Sequence, residues 1–351
     1  MTRALVARGV DAPLAVEEIV LPVVEPTDVR VRIRAAGICH SDLSMVNGTL
    51  APSYPLVLGH EAAGVVVEAG VGTSLAAGDH VVLDWAPPCR ECWFCAHGQP
   101  WLCAASGRPS APGGSTVDGE RVHVTLGLGA LADEVVVPAA AVVPVPPALP
   151  FDAAALLGCA VLTGVGAVRR TAAVATGESV LVLGLGGVGL AAVTAARAAG
   201  AAPVVAADKS PAKEALAVAA GASDFLVSDD ALPKVVRALT GGRGVDHAFE
   251  CVGRSATIHA AWRATRRGGQ LTVVGMGGKA DIFSSARTLR SSVYGSSDPD
   301  RDVPELAASV LDGSLNLAPL ITDRIGLDEA PAAFARLARG EGARSVVVFP
   351  G

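Results

Sequence analysis

The chain has 351 residues, 51% hydrophobic and 18% charged, which is enough apolar material for two domains or one large one. Its formal net charge of −6 argues against a general nucleic-acid binder, which needs a basic face. No apolar run of roughly 18 residues, free of glycine and charge, reads as a membrane span, and Met1-Thr2-Arg3 does not open a signal peptide, so a cytoplasmic location without membrane partners is expected. Cys39, Cys89, Cys92, Cys95, Cys103, Cys159 and Cys251 are clustered enough to suggest metal binding in a reducing compartment, not disulfides.

Up to about residue 36 the sequence reads as β structure. Val29 to Ile33 alternates Val or Ile with Arg, the pattern of an amphipathic strand. It runs into Ala35-Ala36-Gly37-Ile38-Cys39-His40-Ser41-Asp42, and later into Gly59-His60-Glu61-Ala62-Ala63-Gly64. Strands are expected at Val65 to Val67 and Val81 to Leu83, with a turn at Ala77-Gly78-Asp79-His80. A small, turn-rich, mainly β domain fits this region.

Next come Cys89-x-x-Cys92-x-x-Cys95-x7-Cys103, four thiols within 15 residues. Four thiolates at short spacing suit one tetrahedral zinc wrapped by a single loop, and a closed set of four ligands implies a structural role. Thiolates also hold iron–sulfur clusters, and a zinc-ribbon nucleic-acid module shares the spacing, although no basic run accompanies it. Residues 104–130, with GRPSAPGGSTVDGE at their centre, are expected to form a long loop. Strands are expected again at Glu134 to Val137 and Val142 to Val145, before Pro144, Pro146, Pro147 and Pro150 close the β domain. Phe151 to Ala175 has helical composition and carries Leu157-Gly158-Cys159.

Val180 to Leu183 is an unbroken apolar run, as expected for a parallel strand covered on both faces. Gly184, Gly186 and Gly189 follow as G-x-G-x-x-G, opening an Ala-rich helix from Val188 to Ala199. The first glycine permits the tight turn, the second lets a pyrophosphate approach the backbone, and the third lets helix and strand pack closely. Phosphates would sit at the helix N-terminus. Asp208 ends the next apolar run, 19 residues after Gly189, where a carboxylate accepts from both hydroxyls of an adenosine ribose and repels a 2′-phosphate. A glycine turn beside a surface Asp is the alternative. Strands are expected at 179–183, 203–207, 224–227, 245–249, 269–274 and 289–293, a six-stranded doubly wound sheet. The tail, with a helix around Val303 to Leu311 and a strand from Ser345 to Phe349, is expected to rejoin the first domain.

Cys39, His60 and Cys159 remain. Spacing alone leaves open whether they are a metal set or a buried thiol and a core histidine.

The order of these motifs resembles the zinc-dependent medium-chain alcohol dehydrogenase family. The likeness rests on Gly37 to Asp42, Gly59 to Gly64, the thiols at 89, 92, 95 and 103, Leu157-Gly158-Cys159 with Thr163-Gly164, and Gly184-Leu185-Gly186-Gly187-Val188-Gly189, and covers nearly the whole chain. It implies an α/β fold: a six-stranded parallel Rossmann domain (159–293) inserted in a mainly β, GroES-like catalytic domain (1–158 and 294–351) with a structural zinc lobe at about 87–105. It implies two zinc ions per chain, the catalytic one held by Cys39, His60 and Cys159 with a fourth position open. The activity implied is NAD-dependent hydride transfer between an alcohol and an aldehyde or ketone, with a carbonyl reductase or a non-catalytic cofactor-binding relative as alternatives.

In that family's terms Ser41 passes the substrate proton, Asp42 orients His60, and Glu61 tunes or transiently replaces a ligand. Thr163, Gly184, Gly186, Gly187, Val188, Gly189, Asp208, Lys209, Lys213, Val252, Val274, Met276 and Arg344 are expected around the cofactor. His40 stands where many relatives have a pyrophosphate-binding Arg. Ser44 replaces a histidine that ends the proton relay in some relatives, so ribose and water are left to carry the proton on. Trp85 and Leu50 would line the substrate pocket, and Leu50 has no charge where glutathione-dependent formaldehyde relatives carry an acid. The resemblance thus implies an apolar pocket for an aryl or medium-chain alcohol, and a homodimer or homotetramer.

Overall fold

A computed structural model describes residues 1–106, 114–277 and 286–350. The chain divides into two compact units, one of residues 1–159, 298–311 and 321–351, the other of residues 160–297 and 312–320.

The first unit holds two sheets. The strand Asp28–Gly37 is central to the larger one, pairing with Ala62–Ala69, Glu134–Pro138 and Arg344–Val348. Its alternation works as the sequence suggests. Val29, Val31 and Ile33 are fully buried, while Arg30 and Arg32 turn outward to Glu68 and Glu134 at 2.8 and 3.0 Å. His80–Leu83 and Val142–Pro144 extend the sheet on one side, and Ile321–Ile325 on the other. The closing strand Arg344–Val348 runs antiparallel to Asp28–Gly37 and delivers Arg344 beside Gly37 and Ile38, while residues 294–297 and 312–320 of the tail belong to the second unit.

The second sheet of this unit is built on Thr2–Ala7 and Ala15–Val20. Here the expectation of a long loop over 104–130 needs correcting. Ser115–Thr116 pairs with Ala15–Val20 and His123–Val124 pairs with Leu56–Val57, because both segments hydrogen-bond to otherwise open sheet edges. The Gly- and Pro-rich residues 107–113 lie outside the described residues.

The second unit is a six-stranded parallel sheet in the order Asp224–Val227, Val204–Asp208, Val180–Leu183, Val245–Glu250, Thr265–Val273, Thr288–Ser291. Written by chain position this is 3-2-1-4-5-6, which reverses direction between Val180–Leu183 and Val245–Glu250, the point at whose carboxyl ends open α/β sheets bind their ligands. Val180, Leu181 and Val182 are completely buried, as an unbroken apolar run requires.

The helix from Phe151 to Ala172 carries the chain from one unit into the other and ends in a left-handed residue, Ala173 (φ 52°). Leu157–Val161 and Ala167–Ala172 are wound as π-helix. Among the described residues it is the one helix long and apolar enough to cross a bilayer, but it is mostly buried within the protein, as a core helix is.

Candidate metal centres and dinucleotide crevice

Cys39 caps the helix His40–Val46 in extended conformation. Asp42, one turn in, is fully buried. Its Oδ2 accepts from Cys39 N (3.4 Å), and its Oδ1 accepts from Gly59 N (3.0 Å) and lies 3.1 Å from His60 Nδ1. A carboxylate at Nδ1 keeps the ring proton there and leaves the Nε2 lone pair free to bind a metal. Nε2 is 3.3 Å from Cys159 Sγ, and the three donor atoms of Cys39, His60 and Cys159 all lie within 4.8 Å of one another, buried.

Cys159 reaches this point because Gly158 has no side chain. A Cβ on Gly158 would lie 2.4 Å from Leu83 O, so glycine lets the helix close on the end of strand His80–Leu83. The π-wound turn at Leu157–Val161 places the thiol on this face. A hydrogen bond with Cys159, then the Arg344 guanidinium and His60, hold the Cys39 thiol well below its ordinary pKa, while the same hydrogen bond and burial push Cys159 up. Two sulfurs and one imidazole nitrogen, convergent and buried, fit a zinc ion with one position left for substrate.

Glu61 is fully buried beside His60. Its carboxylate is 3.3 Å from Arg344 Nη2, but the pair is not aligned as a hydrogen bond and both Glu61 oxygens lack a hydrogen-bond partner. Burial pushes this group up to about 7, against the pull of Arg344. Gly37 makes room for it, since a Cβ there would lie 2.9 Å from Glu61 Cδ. Arg344 also donates to Ile38 O at 2.8 Å.

The second cluster is the four-cysteine loop. Cys92 Sγ lies 3.6 Å from Cys95 Sγ and 4.0 Å from Cys103 Sγ. These distances bracket the ~3.8 Å edge of a tetrahedron with ~2.3 Å Zn–S bonds. Backbone N–H groups of Cys89 and Ala105 donate to Cys103 Sγ, and that of Cys92 to Cys89 Sγ, at 3.3–3.4 Å, as thiolates favour. Arg90 in this loop holds φ 63°, unusual for a residue with a side chain. Its guanidinium forks onto Asp298 at 2.6 and 2.9 Å and also binds Asp300, tying the lobe to the start of the returning helix Pro299–Leu311.

In the second unit the three glycines do what the motif requires. Gly184 turns at φ 98°, and a Cβ on Gly189 would lie 1.8 Å from Gly184 O. Around Gly186 nothing lies within 4 Å of a Cβ position, so its backbone is open to a phosphate at the start of helix Gly187–Ala198. Asp208 accepts from Leu185 N (2.8 Å) and Ser210 N (3.0 Å), which holds the carboxylate at the crevice. Lys213 is buried, donates to Leu185 O at 3.3 Å, and is pushed down by burial against the pull of Asp208. Val252 and Met276 are apolar yet 40% and 66% exposed at the carboxyl end of the sheet. An open glycine turn, a fixed carboxylate and two uncovered apolar side chains fit a dinucleotide.

Residues 25–147 match the family model described as the alcohol dehydrogenase GroES-like domain, and residues 187–311 that described as zinc-binding dehydrogenase. The chain belongs to the zinc-dependent medium-chain alcohol dehydrogenase family. Like its family it is an oxidoreductase of the alcohol dehydrogenase type. It is 34% identical to an S-(hydroxymethyl)glutathione dehydrogenase of Synechocystis, covering 99% of this chain and all of the relative. It is similar to a solved alcohol dehydrogenase zinc-binding domain protein from Burkholderia ambifaria (32% identity, TM-score 0.92, covering 100% and 99% of the two chains). It is also similar to benzyl alcohol dehydrogenase from Acinetobacter calcoaceticus (25% identity, TM-score 0.91, 99% of each).

In this dehydrogenase Ser41 Oγ lies 4.0 Å from Cys39 Sγ, and Leu50 and Trp85 are half-buried against the core of the same unit. His40 is exposed on the helix that Cys39 caps. Thr163, Val188 and Val274 are half-buried and Lys209 exposed. Arg344 lies in the first unit against Glu61, a contact with no signature in the sequence. Arg90 was not singled out by sequence reasoning either, although a bulky residue between two closely spaced cysteines was visible.

Cys89→Ser is expected to lower stability, because a structural site contributes folding energy, and Cys159→Ser to abolish turnover with the fold intact. Near-normal turnover of Cys159→Ser with a full complement of zinc would contradict the ligand assignment. Arg90→Gly should be more stable than Arg90→Ala by roughly 0.5–1 kcal/mol, because both lose the ion pairs but only Ala keeps the left-handed strain. Thermal melts of the two variants decide this, and an Ala variant as stable as the Gly variant would refute the strain.

Proposed function

We propose that this chain is an NAD-dependent alcohol dehydrogenase acting on an aryl or medium-chain alcohol, and on the matching aldehyde or ketone in reverse. The observation that carries the reading is the convergence of Cys39, His60 and Cys159 with Asp42 locked on the histidine. A zinc ion held there supplies the Lewis acidity that lowers the pKa of a substrate hydroxyl or polarises a carbonyl. Ser41, two residues beyond Cys39, accepts the hydroxyl proton and passes it on. Ser44 is no base at neutral pH, so ribose and water take the proton further. Asp42 keeps His60 in one tautomer throughout. NAD, when bound, supplies the hydride acceptor. Asp208 receives the adenosine ribose, and the open backbone at Gly186 receives the pyrophosphate.

What supports the apolar substrate is Leu50 and Trp85, both packed against the apolar core of the unit that carries the zinc ligands. Leu50 offers no charge to the polar tails of a glutathione adduct, the substrate named for several relatives. The likeness to benzyl alcohol dehydrogenase supports the same reading. Turnover should be measured with benzyl alcohol and with S-(hydroxymethyl)glutathione, NAD as acceptor. The higher kcat/KM is expected for benzyl alcohol, and preference for the glutathione adduct would reject the apolar pocket. A much higher efficiency for carbonyl reduction than for alcohol oxidation would favour the reductase.

Cofactor choice follows from Asp208. Its charge opposes a 2′-phosphate, and such juxtaposition in a partly desolvated pocket can cost several kcal/mol, on the order of 10²-fold or more. Asp208→Gly should lose efficiency with NAD and gain with NADP, with Lys209 and Lys213 available to the phosphate. Asp208→Asn, which keeps an acceptor for Leu185 N, separates charge from hydrogen bonding. An unchanged NAD/NADP ratio of kcat/KM in both variants would remove Asp208 from this role.

A further inference from the structure

Glu250 is the last residue of strand Val245–Glu250, opposite Leu183 across the point where the strand order reverses. It is a carboxylate with no solvent exposure at the edge of a crevice. Among the described residues, the hydrogen bonds of its carboxylate go to the turn and the helix that follow it. Oε1 accepts from Val252 N (3.0 Å), Gly253 N (2.9 Å) and Thr257 Oγ1 (2.7 Å), and Oε2 from Gly253 N (3.1 Å). Its main-chain oxygen accepts from Val274 N (2.8 Å) and Gly275 N (3.0 Å). One residue thus gathers the loops after two adjacent strands.

These loops are packed without room for a methyl group. A Cβ on Gly184 would lie 2.5 Å from Val252 Cγ2, one on Gly253 2.2 Å from Met276 O, and one on Gly275 2.1 Å from Gly253 N. The first contact links Val252 to the turn that opens the phosphate site. The second links Gly253 to Met276, and the third links Gly253 to Gly275. Val252 and Met276 are both exposed apolar side chains at this edge. Neighbouring backbones that interlock this tightly move together, so whatever fixes Val252 and Gly253 also fixes both apolar walls.

We propose that Glu250 is a positioning residue for the nicotinamide cofactor, acting through the Val252–Gly253 turn to set where Val252 and Met276 meet the bound dinucleotide. This rests on the dinucleotide reading of the crevice. Glu250 itself reaches no cofactor atom in the proposal. Its carboxylate replaces the solvent that the Val252 and Gly253 amides would otherwise need, and a loop satisfied from beneath presents its side chains outward in one arrangement. The strand expected at 245–249 stops one residue short of Glu250, and the sequence pattern assigned that residue no role. Its role became legible when the acceptors were seen to converge on one loop.

The test measures NADH binding by fluorescence, alongside thermal melting and zinc content, for the parent, Glu250→Gln and Thr257→Val. Charge-assisted hydrogen bonds to two amides are at stake, so Glu250→Gln should raise the NADH dissociation constant on the order of tenfold. Thr257→Val should raise it by about threefold, losing one of the contacts. KM for NAD should rise in parallel while kcat and zinc content stay near parental values, and amide exchange at Val252 and Gly253 should quicken. If Glu250→Gln does not fold, Thr257→Val decides alone. Folded variants with parental NADH affinity and KM, even with lower melting temperatures, would overturn the proposal and leave Glu250 a purely structural residue. A parent that does not bind NADH at all would instead overturn the dinucleotide reading on which the proposal stands.

Discussion

The catalytic half of this protein depends on one buried carboxylate. Asp42 takes the Cys39 amide, the Gly59 amide and the His60 ring at once, and none of its atoms meets solvent. A buried charge of this kind is stable only when its acceptor capacity is filled, and filling it here joins the helix of Cys39 to the turn of His60. Two of the three candidate metal donors are thereby fixed by the fold itself. The third, Cys159, is fixed by a different device, a glycine that lets a π-wound helix press on Leu83. Charge satisfaction on one side and close packing on the other bring three residues far apart in sequence into one site.

The same two devices recur in the second unit. Glycines at 184, 189, 253 and 275 allow backbones to approach where any side chain would collide. Buried or half-buried carboxylates, Asp208 on Leu185 and Ser210 and Glu250 on Val252 and Gly253, tie down the amides those turns expose. With few aromatics in the chain, close backbone approach and filled carboxylates supply rigidity that larger side chains would otherwise provide.

Much of this was legible in the sequence because its signals are local. The alternation in Val29 to Ile33, the glycine turn at 184–189 and the four clustered thiols each state their structure within a few residues, and the expected parallel strands overlap those observed. The extra strands within 104–130 were not legible, because two-residue pairings are dictated by the edges they meet and not by their own composition. The pairing of Cys39, His60 and Cys159 was open from spacing and was supplied by resemblance, since their contact is made by tertiary packing. Arg344 against Glu61 and Arg90 against Asp298 join residues more than 200 positions apart and leave no periodic trace.

The most direct test of the central claim is the number of zinc ions per chain in the parent and in Asp42→Asn, measured by elemental analysis after the same mild chelator challenge. Loss of a buried partner to a metal-bound histidine lowers metal affinity by about 10–100-fold. The account expects close to two zinc ions in the parent and close to one in the variant, with the four-cysteine site still filled. A variant that retains two zinc ions with parental resistance to the chelator would contradict it.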